Sequence, residues 1–116
     1  MNKINPIEMI QRVIQLNLSL NQPYSSQLKK ETIDSIVTLE QNLSQLDFTQ
    51  SDISELEFFS MLEILLEETR NKLLQMKKRY RLHKNDLDFI LSVLRGLNKN
   101  ITRLIEFLDE DILIIE

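Results

Sequence analysis

Cysteine is absent. That removes disulfides, thiol nucleophiles and cysteine-held metals together, and it fits a reducing compartment. Alanine and tryptophan are absent too, and the chain has one glycine, two prolines and one histidine. So few turn-forming residues speak strongly against a β-sandwich or barrel. One glycine cannot build a phosphate-cradling loop. The lone His83 lies in a basic run with no triad partner suggested by spacing. A di-metal bundle would use Glu-x-x-His pairs, but Tyr80 stands three residues before His83. Grouped carboxylates such as Glu63, Glu67 and Glu68 read as a solvated helix face. These absences argue against an enzyme, with no cofactor and no metal expected.

Long hydrophobic runs are also missing. No window approaches the ~18 consecutive apolar residues of a membrane span. Residues 1–20 do not read as a secretory signal, because Gln11, Arg12, Gln15 and Asn17 interrupt the apolar stretch. A formal net charge of −4 disfavours generic attraction to nucleic acid or anionic lipid. The expectation is a cytoplasmic protein.

What is present is helical rhythm. At 116 residues, 42% hydrophobic and 28% charged, the chain reads as one domain, 1–116, able to bury its own core. Large apolar residues recur every three or four positions from Ile53 through Leu108. This is the pattern of helices packed side by side with shallow, coiled-coil-like crossing. The reading is all-α: an antiparallel helical bundle of four helices over 6–20, 26–46, 50–82 and 86–109. The alternative fuses helices three and four into one rod on the order of 85 Å long.

Asn5-Pro6-Ile7-Glu8 starts the first helix, with Asn5 as cap and Glu8 able to reach back to it. Ile7, Ile10, Ile14 and Leu18 line one face, widened by Met9, Val13, Leu16 and Leu20. So wide an arc predicts a helix pressed between neighbours. Pro23 ends it, and Ser25 or Ser26 caps the second helix. Thr49 and Asp52, flanked by Phe48 and Ile53, match a capping box with a hydrophobic staple and place the third helix start near Gln50. The third helix is acidic early and basic late, as the helix dipole favours. A break near Leu82–Asp88 rests on the charge reversal there, with Asn85 as the next cap. Gly96, in mid-helix, either admits a close neighbour or is a tolerated drift.

Two surfaces stand out. The stripe of Leu87, Leu91, Leu94, Leu97, Ile101, Leu104, Leu108, Ile112 and Ile115 is the candidate interface, since four broad apolar arcs offer more surface than a small monomer easily hides. Lys77, Lys78, Arg79, Arg81 and Lys84 form a candidate basic patch, with Tyr80 and Leu82 expected to turn inward. The favoured function is a protein–protein interaction module, a small acidic adaptor or chaperone-like protein binding another protein or itself as a homodimer. Small acidic helical chaperones and adaptors are similar to it in size, charge and pattern. The alternatives are a structural coiled-coil subunit of a larger assembly and a nucleic-acid-associated regulator using residues 77–84. Nucleic acid is the less favoured partner, and no membrane span is expected.

Overall fold

The computed structural model describes the backbone of residues 3–115 and the side chains of residues 3–110. Four helices dominate: α1 (Pro6–Ser19), α2 (Ser26–Asn42), α3 (Glu55–Arg79) and α4 (Lys84–Ile115). They pack against one another as an all-α bundle, and no strand forms among the described residues. No residue with a positive φ is found among them, so the connections need no left-handed position and the shortage of glycine is no obstacle.

The helix starts follow local chemistry. The Asn5 side chain accepts the Ile7 N–H at 2.8 Å, with Pro6 in the first turn of α1. Glu8 does not return to that cap; it pairs with Arg12 one turn on, at 3.0 Å. Ser25 caps α2 by accepting the Leu28 N–H at 3.0 Å. The start of α3 corrects the sequence reading by about five residues. Thr49 is not its cap, because the Thr49 hydroxyl and N–H both donate to Asp47 at 2.7 and 3.0 Å, closing a turn. Ser54 is the cap: its hydroxyl accepts the Glu57 N–H and donates to the Glu57 carboxylate, both at 3.1 Å. Ile53 and Phe58 then occupy the staple positions on either side of it.

Other helix ends also differ from expectation, and α4 runs on to Ile115 where the sequence reading ended it at residue 109. Helical geometry in α2 gives way to a 3₁₀ turn at Leu43–Gln45, and Leu46 is extended. Its neighbours are drawn into an isolated parallel bridge between Ile4 and Leu46. There the Ile4 N–H donates to the Gln45 carbonyl at 2.8 Å and the Asp47 N–H to the Ile4 carbonyl at 2.9 Å. The break between α3 and α4 is present but lies earlier than expected. It falls at Tyr80, followed by a 3₁₀ turn at Arg81–His83, and α4 begins at Lys84 without Asn85 as its cap. Tyr80 leaves the helix with its ring packed on the core, 6.2 Å from that of Tyr24. The two long helices fold back on each other, and overall extents of 52 × 28 × 20 Å rule out the fused rod.

The chain thus forms two α-hairpins, α1–α2 and α3–α4. Polar bonds fix how they meet. Asn17 reaches Leu65 and Glu68, and Lys72 reaches Asn17 and Asn21, so α1 and α3 run parallel. Lys29 reaches Asp86 and Asn100 reaches Glu40, so α2 and α4 run parallel as well. The antiparallel packing lies within the hairpins. Between them, the connection after α2 crosses the foot of the bundle to begin α3. Phe48, on that crossing, closes the foot against Phe58 and Phe59 at centroid distances of 5.4 and 6.3 Å. The core above holds Met9, Val13, Ile36, Leu62, Leu66, Leu73, Leu94 and Ile101.

Candidate protein-interaction surface

Helix α4 lies between α2 and α3, and that position decides what its apolar stripe can do. Leu87, Leu94, Leu97 and Ile101 are fully buried, and Leu91, Leu104 and Leu108 are half-buried against the same core. The expected interface is therefore the interior of the bundle: two helices cover it within the chain. The side chains of Ile112 and Ile115 lie outside the described residues.

Exposed apolar side chains lie elsewhere. Val37 on α2, Leu82 at the α3–α4 turn, and Phe89 and Phe107 on the outer side of α4 are scattered, and the others are on α1 and α3. In α1 the buried residues are Met9, Val13, Leu16 and Leu20, the set that seemed only to widen the arc. The stripe that seemed primary faces outward: Ile7 and Leu18 are each 55% exposed and Ile14 42%. The helix packs chiefly on α3, with a thinner contact to α2, and its outer face is open. In α3, Met61 is 42% and Ile64 72% exposed. The register set by Asn17 puts these two groups at similar heights along the bundle. Stepping one turn toward the N-termini of two parallel helices places Ile14 and Ile10 level with Leu65 and Met61. The result is an apolar seam about 17 Å long, from Ile7 to Leu18, along the outer junction of α1 and α3. Its only sequence signal is the breadth of the α1 arc.

The seam is held rigidly from behind. Asn17 is buried; its amide donates to the Leu65 carbonyl at 3.1 Å and to Glu68 at 3.2 Å, and its side-chain oxygen accepts from the Thr69 hydroxyl. Lys72 adds bonds to the Asn17 carbonyl and the Asn21 side chain, both at 2.8 Å. Among the described residues no buried side-chain polar atom is left without a partner. On the other flank, α1 and α2 splay apart over a shallow groove of about 1090 Å³. Glu8, Arg12, Glu31 and Asp34 line it together with Leu16 and Leu39, and most of its lining surface is apolar.

The basic segment divides. Lys77 turns back to Asp88 at 2.6 Å, while Lys78, Arg79, Arg81 and Lys84 are exposed. Leu82 corrects the expectation that it turns inward: it is 98% exposed at the apex of the 3₁₀ turn. Beneath the apex a polar clamp joins the hairpins. Asp86 accepts from Lys29 at 2.9 Å and from the Tyr24 hydroxyl at 3.0 Å. The Lys29 bond first, then that from Tyr24, holds the Asp86 carboxyl below the usual range. Burial, then the bond to Asp86 and its charge, pushes the Tyr24 phenol up to about 12. His83 stacks on Tyr24 with ring centroids 4.4 Å apart. These groups are engaged with one another as a clamp. No three carboxylate or imidazole groups gather as metal ligands among the described residues. No described helix is long and apolar enough to cross a membrane.

No family model, curated protein or solved structure matches this chain.

Proposed function

We propose that this chain is a non-enzymatic protein-interaction module whose α1–α3 seam is buried against another protein, in the simplest case a second copy of itself. The observation that carries this reading is the shared exposure of Ile7, Ile14 and Leu18 on α1 and of Met61 and Ile64 on α3, two parallel helices whose register Asn17 fixes. Covering their exposed parts is worth about 1–2 kcal/mol per side chain at ~25 cal/mol per Å². That total offsets the entropy of association only if most of the seam is covered at once, which favours a helix lying lengthwise along it.

Sedimentation velocity across a wide concentration range tests the reading directly. Ile64→Lys and Leu18→Lys place charge within the seam at exposed positions, so helicity and melting temperature should hold while association weakens at least tenfold. The same self-association, and the same co-purifying proteins, with and without these substitutions would overturn it.

A further inference from the structure

We propose that the tip of the α3–α4 hairpin is a docking point for an anionic membrane surface, with Leu82 as the residue that enters the headgroup region. The tip stands apart from the seam, which lies along the side of the bundle. Leu82 is 98% exposed on a turn held from beneath by the Tyr24–His83 stack and the Tyr24–Asp86 bond. Around this apex stand Lys78, Arg79, Arg81 and Lys84, all exposed and none in an ion pair among the described residues.

The net charge of −4 does not govern this end of the molecule. No acidic residue occurs between Glu68 and Asp86, and Glu68 lies about 17 Å down α3 from Arg79. That is roughly twice the ~8 Å Debye length at physiological salt, so its charge is largely screened. The two nearest carboxylates are already neutralised, Asp86 by Lys29 and Asp88 by Lys77. Because α1 runs parallel to α3, the α1–α2 connection shares this end, and residues 20–28 carry no charge. What approaches a surface end-on is cationic.

The shape and the leucine select the partner. A convex apex offers no cleft for a peptide, whereas a bilayer surface yields around it. A nucleic-acid backbone would engage the cations and leave Leu82 in water. A surface with anionic headgroups above an apolar layer uses both features, as interfacial anchors do.

The test is co-sedimentation of the full chain with vesicles of phosphatidylcholine alone or mixed with phosphatidylglycerol. Binding is expected only to the anionic vesicles, weakening as salt rises. A cation near such a surface contributes about fivefold, so Arg81→Glu, which removes one charge and adds its opposite, should weaken binding by about 25-fold. Leu82→Ser should weaken it by about tenfold at constant charge. The chain has no tryptophan, so Leu82→Trp is a clean reporter whose emission should shift to the blue on anionic vesicles. Circular dichroism confirms the fold of each variant. No binding at low salt, binding indifferent to Leu82→Ser, or tighter binding to a DNA duplex than to the vesicles would each overturn the proposal. Val37→Ser, on the exposed side of α2 and outside both the tip and the seam, should leave vesicle binding unchanged.

Discussion

Gly96 occupies the solvent side of α4, and a methyl group built on it would meet no atom within 4 Å. It is not a point of close approach, and its cost to the helix is uncompensated. Gly96→Ala should therefore stabilise the fold by about 1 kcal/mol, read as a rise of roughly 4 °C in thermal midpoint. Thr69 is the opposite case, a hydroxyl fully buried against Asn17. Thr69→Val keeps the shape and strands the Asn17 oxygen, so urea unfolding should show a loss of about 1–3 kcal/mol. The clamp predicts how stability responds to pH. Asp86 titrates lower in the fold than unfolded, so its contribution is present above its ordinary value near 3.8 and fades as pH falls below it. Tyr24 titrates higher in the fold, so its contribution is complete below its ordinary value of 10.0 and is lost as pH rises toward about 12. Melting curves should sag at both limits. Tyr24→Phe should remove the alkaline part of the Tyr24–Asp86 dependence, and Asp86→Asn the acid part.

At the scale of the elements, the α3 start separates two sequence frames that look alike. Thr49-x-x-Asp52 with Phe48 and Ile53, and Ser54-x-x-Glu57 with Ile53 and Phe58, carry the same signature five residues apart. Ser54→Ala should cost about 1 kcal/mol and fray the first turn of α3, whereas Thr49→Ala should leave helix content unchanged; amide exchange at Glu57 distinguishes the two. The four helices themselves were legible because apolar spacing encodes them directly. Their ends were less so: Thr49 is claimed by Asp47 and Leu46 by the segment at Ile4, and neither claim shows in a local window. The interacting face was legible only as a surplus. A stripe such as Leu87–Leu94–Ile101 reads the same whether its own chain or another covers it. In α1, the choice between Ile7–Ile14–Leu18 and Met9–Val13–Leu16 depends on where α3 lies. The polar bond of Asn17 settles that, and Asn17 looked in the sequence like a mere interruption.

For the whole molecule, the dominant fact is that two hairpins meet through parallel helix pairs, α1 with α3 and α2 with α4, and are joined by one crossing of the foot. Residues 49, 50 and 52 of that crossing are exposed. Limited proteolysis should cut there first, and the two products should still elute together in gel filtration, because each supplies half of one continuous core. Fragments that separate immediately after a single cut would contradict this packing.

That single crossing carries a consequence for how copies of the chain can combine. The α3–α4 hairpin closes on itself and α1 and α2 dock on its two sides, the surface each half offers the other being fixed by pairs such as Asn17 with Thr69 and Lys29 with Asp86. The halves are thus complementary without needing a covalent link. Supplied as separate polypeptides, residues 1–48 and 49–116 should reconstitute the bundle, and the molecule would serve as a split tag whose reassembly can be read in trans.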